Sequence, residues 1–396
     1  MVKEAVSPSV DLCEDSRPLA TVPLQEERSL PFWQRDIPSE YGALAVPELS
    51  ERIAAAKATL GKRVIIPGHH YQREEIIRFA DVRGDSFKLA QYAAGNPEAE
   101  YIVFCGVHFM AESADILSAP HQKVILPNMA AGCSMADMAT PRDVLSCWQE
   151  LTDAGLADDT LPVTYINSAA SLKAFCGERG GAVCTSSNAP AIVRWALERK
   201  KRVLFFPDQH LGRITGLDMG IPLDEMPVWN YALRPGSLGG NTLEDLQQSR
   251  IILWKGYCSV HQRFTVEQVR QARARYPDVK VVVHPECALE VIREADCYGS
   301  TEYIIKTVSG APAGSHWAVG TEINLVSRLA HENPDKTVFC LDHEVCPCSS
   351  MYRIHPAYLC WVLERLVAGE VVNQVQVEPE TARWAKLALE RMLAIT

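Results

Sequence analysis

The sequence predicts an α/β protein made of three pseudo-symmetric, three-layer α/β/α domains with short parallel sheets around a central active site. Apolar strand-like runs alternate with helix-like patterns, as expected of parallel sheets covered on both faces. A layout of strand, polar cluster, helix and second polar turn also occurs three times. It runs from His284-Pro285-Glu286 to Gly299-Ser300-Thr301, from His69-His70-Tyr71 to Gly84-Asp85-Ser86, and, at a looser spacing, from Tyr165-Ile166-Asn167 to Thr185-Ser186. Finally, each unit closes on an apolar strand leading into a cysteine: Cys133, Cys258, and the pair Cys346 and Cys348. His69 and Cys133 stand 64 positions apart, as do His284 and Cys348, and that count favours Cys348 over Cys346.

Residues 1–38 mix Pro, Ser and charges without periodicity and read as a poorly structured N-terminal extension. The first repeat, 39–140, opens with a helix over 48–60 that ends at Gly61. Strands are expected at 63–66, 101–104 and 124–126, with helices near 74–80, 86–94 and 108–118. The second repeat, 141–264, has strands near 162–166, 202–206 and 250–253, a helix near 189–199, and a surface insertion at 212–248 where Gly, Pro, Asn and Asp concentrate. The third, 265–355, has a helix at 265–275, strands at 279–283, 303–307 and 337–341, and a helix near 320–330. C-terminal helices at 356–368 and 380–395 complete residues 356–396, with Trp384, Ala388, Met392 and Ile395 marking a packing face.

A chain of 396 residues is long enough for two or three domains. Its formal charge of −10 offers no broad basic footprint, so no nucleic acid is expected. No run of 18 apolar residues occurs and the first 38 residues hold no apolar signal core, so no membrane span and a cytoplasmic location are expected. Thirteen cysteines, an odd number, fit metal binding, catalysis or plain burial better than a disulfide framework. Neither C-x-x-C nor H-E-x-x-H is present, so any metal site must be assembled from distant residues. A Walker A loop and a G-x-G-x-x-G turn are also absent, which leaves nucleotide binding unsupported.

In open α/β sheets ligands bind beyond the carboxyl ends of the strands, where every polar cluster above falls. Three cysteines converging there would hold three corners of an iron–sulfur cluster and leave one iron open as a Lewis acid. The same thiolates and imidazoles also suit zinc in an aldolase or hydrolase, and a fourth cysteine would suit a sensor or electron carrier. Free cysteines are commonly just buried; repeat position sets Cys133, Cys258 and Cys348 apart from Cys105, Cys184, Cys287 and Cys297. Ser86, Ser186 and Thr301 stand at expected helix starts, where a hydroxyl either caps the helix or helps bind an anion. His69, Tyr71, Tyr165, Asn167, His284 and Glu286 are of the types that proton transfer needs. His70, His108, His210, His261 and His343 also lie near strand ends, and spacing does not say which of them face the centre.

The ordered set H-x-Y-Q at 69–72, GDS at 84–86, GVHFMAE at 106–112, GCSMAD at 132–137, YINSAA at 165–170, CTSSNA at 184–189, PDQHLGR at 207–213, WKGYCSVH at 254–261, HPEC at 284–287, GST at 299–301 and C-x-x-M at 348–351 resembles the quinolinate synthase family. The likeness spans about residues 60–355. It implies three similar domains around one site, and condensation of iminoaspartate with dihydroxyacetone phosphate to quinolinate, with loss of phosphate and water, in NAD biosynthesis. It implies a [4Fe-4S] cluster on Cys133, Cys258 and Cys348 whose open iron acts as Lewis acid, with Cys346 beside the third ligand. It places substrate binding on His69, Ser86, Tyr165, Asn167, Ser186, His284, Glu286 and Thr301, and catalysis on Tyr71, Glu286, Tyr165 and His284. Functional coupling to the L-aspartate-oxidising enzyme that supplies iminoaspartate is a further implication.

Overall fold

A computed structural model describes residues 18–27, 37–344 and 347–395. The fold is mixed α/β, with short, mainly parallel sheets between helices. The first sheet runs Val64–Ile65, Tyr101–Val103, Lys123–Ile125 and then Gln374–Val375, the last antiparallel. Next to it Pro67–His69 pairs with Val82–Gly84, and a bridge from Gly68 to Cys105 joins this pair to the sheet. The second sheet is ordered Ala182–Cys184, Thr160–Tyr165, Arg202–Phe206, Ile251–Trp254, Val228–Trp229, and the third Cys297–Tyr298, Lys280–Val283, His316–Gly320, Thr337–Cys340. In both, the second strand in sequence lies outside the first and the third lies on its other side; the fourth strand follows directly in the third sheet, whereas in the second sheet Ile251–Trp254 intervenes and the fourth strand, Val228–Trp229, is the edge.

The strands are apolar because helices cover both faces. Thr160–Tyr165 and Arg202–Phe206 are buried at every position, and so are Val281, Val282 and Val283. Each such aliphatic side chain contributes about 1.5–3 kcal/mol on burial. The strands therefore end where their sequences turn polar, and the polar clusters fall at their carboxyl ends.

Three expectations need correction. Residues 303–307 are not a strand: Thr301–Ser309 is a helix that buries Thr301, Ile304 and Val308, a helical rather than an alternating spacing. The strand expected there is His316–Gly320. The stretch 212–248 is only partly superficial, because the helix Gln209–Asp218 buries Leu211, Gly212, Ile214, Thr215 and Gly216, and Val228–Trp229 forms the edge of the second sheet. Within the stretch read as a poorly structured extension, Leu24–Glu27 is a short helix whose Leu24 and Glu27 are buried; residues 1–17 and 28–36 lie outside the described residues.

The C-terminal segment ties the first two sheets together. After Gln374–Val375 joins the first sheet, the helix Pro379–Ala394 packs on the helix Ala170–Glu178 beside the second. Its buried face is Ala385, Ala388, Leu389 and Met392, while Trp384 and Ile395 are only half-buried. Contact is close enough that a Cβ on Gly177 would lie 1.9 Å from the Trp384 carbonyl oxygen. Among the described residues no helix is long and apolar enough to cross a membrane.

Candidate active site

One cavity at the carboxyl ends of the strands is lined by His69, Tyr71, Ser86, Cys133, Tyr165, Asn167, Ser186, Cys258, His284, Glu286, Thr301 and Cys348. Every residue singled out for a site thus borders one space. Val107, Phe109, Met110 and Met135 supply apolar walls that spacing did not reveal.

His69 and His284 share a local geometry. His69 ends its strand and His284 directly follows one, and in each the Nδ1 accepts the backbone N–H two residues on, from Tyr71 at 3.1 Å and from Glu286 at 3.3 Å. With Nδ1 accepting, the ring proton sits on Nε2. Burial, and then nearby imidazoles, push both pKa values down to about 3. Both rings are therefore neutral hydrogen-bond donors at neutral pH.

Behind them runs a buried hydrogen-bonded chain. Tyr71 Oη lies 2.8 Å from Thr321 Oγ1, which lies 3.1 Å from His261 Nε2, and His261 Nδ1 lies 2.8 Å from Glu286 Oε2. Burial opposes ionisation of Glu286, but the His284 and His261 imidazoles and hydrogen bonds from His261 and Tyr165 more than offset it and hold the carboxyl below its usual range. An ionised Glu286 accepts from His261 Nδ1–H. In the neutral ring Nε2 then accepts the Thr321 hydroxyl proton, and Thr321 accepts from Tyr71. Burial, reinforced by Glu286, raises the Tyr71 and Tyr165 phenols well above their ordinary value and keeps them protonated.

Cys133, Cys258 and Cys348 come from three separate loops, carry free thiols and are partly exposed. Burial raises all three pKa values, Cys133 to about 12 and Cys348 to about 11; the Cys348 sulfur adds to the shifts of Cys133 and Cys258, and Cys133 adds to that of Cys258. Backbone N–H groups of Ala136 and Met135 point at Cys133, of His261 at Cys258, and of Met351 and Ser350 at Cys348. Such donors stabilise sulfur anions held by a metal, and metal binding displaces the thiol protons. The set thus fits a three-cysteine cluster. Cys258, His261 and Glu286 also lie close enough to grip a single ion. Both His261 nitrogens already have partners, however, so zinc there would have to break the chain to Thr321 and Glu286. Cys287 is fully buried with its thiol facing the Gly320 carbonyl, and neither it nor Cys105 borders the cavity. Cys346 lies outside the described residues.

The hydroxyls at the helix starts are released from capping by their neighbours. Asp85 caps Ser86–Ala94 by accepting from the Lys88 N–H at 2.9 Å, and Ser300 caps Thr301–Ser309 by accepting from Tyr303. Ser86 and Thr301 are left facing the cavity at helix N-termini, a setting suited to anions. Ser186 lies just ahead of the helix Ala189–Leu197. Asn167 brings a buried Oδ1 with no hydrogen-bond partner among the described residues, an acceptor for a bound donor.

His261 and Thr321 were not singled out by the sequence. The signal for His261 was its place three residues after Cys258. Thr321 follows the strand His316–Gly320, and misplacing that strand at 303–307 hid its position. Of the other uncommitted histidines, His70 pairs with Glu302 at 3.1 Å behind the cavity wall.

Known proteins carry the same sequence pattern. The family described as Quinolinate synthetase A protein matches residues 51–394. A quinolinate synthase of Corynebacterium glutamicum is 58% identical over 362 residues, covering 91% of each chain. That of Streptomyces coelicolor is 54% identical over 383 residues, covering 96% of each, and that of a Nocardioides species is 56% identical over 367 residues, covering 91% of this chain and 92% of its own. The chain belongs to the quinolinate synthetase A protein family.

Proposed function

We propose that this chain is a quinolinate synthase that condenses iminoaspartate with dihydroxyacetone phosphate in the cavity, releasing phosphate and water. The observation that carries this reading is the convergence of three thiols, two neutral imidazole donors and a tyrosine–glutamate relay on one space. In this reading 39–140, 141–264 and 265–355 are three units around a pseudo-threefold axis, each giving a strand-end cluster, a helix-start hydroxyl and a cysteine. The shared order of the first three strands in the second and third sheets supports it.

Cys133, Cys258 and Cys348 would hold a [4Fe-4S] cluster, which when bound supplies an open iron as Lewis acid for substrate oxygens. Ser86, Ser186 and Thr301 bind the phosphate and carboxylate groups. His69 and His284 donate Nε2–H to substrate oxygens without adding charge, and Asn167 Oδ1 accepts from the amine. Glu286 takes a substrate proton with Tyr165 hydrogen-bonded to it, and Tyr71 gives one, drawing on Thr321 and His261. An L-aspartate-oxidising enzyme would supply the iminoaspartate, and the cytoplasm, which keeps thiols reduced, suits the free cysteines.

The test is an oxygen-free assay of quinolinate formation from the two substrates, alongside metal analysis. Iron and sulfide near about four each per chain with product formed is the expected result. About one zinc per chain and no quinolinate would sink the reading in favour of a zinc enzyme. Iron without quinolinate would favour an electron carrier or sensor.

A further inference from the structure

The N-terminal residues 21–27 lie against the segment that follows Cys348, and their contacts are charged and buried. Arg73 is 2% exposed, and its guanidinium bonds Glu27 at 2.8 and 3.4 Å, Thr21 Oγ1 at 3.2 Å and the Tyr352 carbonyl. The guanidinium also lies over the Tyr352 ring, 3.6 Å from its centroid, while Tyr352 Oη donates to Glu27 at 3.4 Å. His355 Nδ1 accepts from the Ala357 N–H, which leaves Nε2–H to donate to the Val22 carbonyl at 2.8 Å. Leu24, 3% exposed, anchors the arm in the same hydrophobic core that holds Ile354 and Tyr358.

Both segments under the arm run on from residues that line the cavity, Tyr71 in one and Cys348, Ser350 and Met351 in the other. Arg73 is two residues beyond Tyr71, in the turn that carries His69. Tyr352 and His355 belong to the loop of Cys348, which meets the same turn through Gln72 and Met351. Glu27 therefore pairs with a buried cation, Arg73, that joins the two.

We propose that residues 21–27 act as a clamp that seats the Cys348 loop against the His69–Arg73 turn, with Glu27 as its positioning residue. The inference rests on the reading of Cys348 as a cluster ligand. Removing the Glu27 charge leaves Arg73 buried without its counter-ion, so the arm lifts and Cys348 loses its fixed direction. The sulfur then samples orientations in which three thiols no longer converge.

The experiment uses the full chain in its metal-free, reduced form. Glu27→Gln and the parent are treated with a thiol-alkylating reagent, and labelling rates of Cys348, Cys133, Cys105 and Cys147 are read by peptide mass spectrometry. Cys348 is expected to react about tenfold faster in Glu27→Gln while the other three keep their rates. A variant lacking residues 1–30 should show the same pattern. Equal Cys348 rates in variant and parent overturn the clamp, and so does acceleration of Cys105 and Cys147 along with Cys348, which marks general loosening. The ligand reading is tested separately by the iron content of Cys348→Ala, so the two failures are distinguishable.

Discussion

The imidazoles of His261 and His284 lie face to face, 4.4 Å between ring centroids and 17° between planes. The stack holds His261 between Glu286 and Thr321, at hydrogen-bond distance from both. Its position aligns Glu286 and connects it to Tyr71, whereas His284 borders the cavity. His261→Gln keeps the volume of the ring approximately but cannot relay a proton between two sites. Turnover should fall by roughly 10²–10⁴ with the circular dichroism spectrum and iron content unchanged. Wild-type turnover in this variant would remove the relay from the mechanism.

Asp85 and Ser300 do the capping, which leaves the adjacent Ser86 and Thr301 for the anion binding proposed above, and substitutions should separate the two. Ser86→Ala and Thr301→Ala are expected to leave the melting temperature nearly unchanged and raise KM about tenfold, the loss of about 1.4 kcal/mol of hydrogen bonding to a charged group. Asp85→Ala, which removes the cap on the Lys88 N–H, should instead cost about 1 kcal/mol of stability. Steady-state kinetics and denaturant titration on the three variants decide the matter; a stability loss confined to the hydroxyl variants would reverse the assignment.

Buried neutral histidines make the fold sensitive to acid. Burial pushes His69, His284 and His355 each down to about 3, aided respectively by His70, His261 and Arg73. In the unfolded chain these imidazoles bind protons near pH 6.5, so between about pH 6.5 and 3 the unfolded state holds more protons and stability falls as pH falls. The slope is about 1.4 kcal/mol per pH unit for each histidine. Urea unfolding of the metal-free protein at about pH 7.5 and 5.5 should show lower stability at the lower pH. His355→Gln should flatten the dependence, and an unchanged slope would count against a neutral His355.

Where the C-terminal helix crosses Ala170–Glu178, only a hydrogen fits at Gly177. A methyl group there would overlap the Trp384 carbonyl, so the helices must separate. Gly177→Ala should destabilise by roughly 1–3 kcal/mol despite the better helix propensity of Ala. A thermal melt no lower than wild type would show that the helices shift without cost.

Much of the site was legible because chemistry-bearing residues stood at the ends of apolar runs. Strands such as Arg202–Phe206 and, past its exposed first residue, Lys280–Val283 are buried on both faces and stand out as continuous apolar segments. The chemistry-bearing residues named first at the cavity, from His69 to Cys348, followed from position after such runs and from the family likeness. What stayed hidden was of two kinds. Tyr303-Ile304-Ile305 reads as a strand locally, and only tertiary burial of Thr301, Ile304 and Val308 on one side shows the helix. Arg73, Glu27 and Thr321 act through partners far away in sequence, which no local pattern encodes.

The first sheet begins at Val64–Ile65 but is completed by Gln374–Val375, which pairs with Ile125 and Val124. During synthesis the edge of Lys123–Ile125 therefore waits, unpaired on that side, until nearly the whole chain has been made. Closing so distant a contact is slow, and an apolar strand with an open edge is a template for pairing with other chains. The earliest-made part of the molecule is thus the last to be finished, and its yield on refolding should depend on protein concentration more steeply than that of the second sheet, whose five strands all lie between residues 160 and 254.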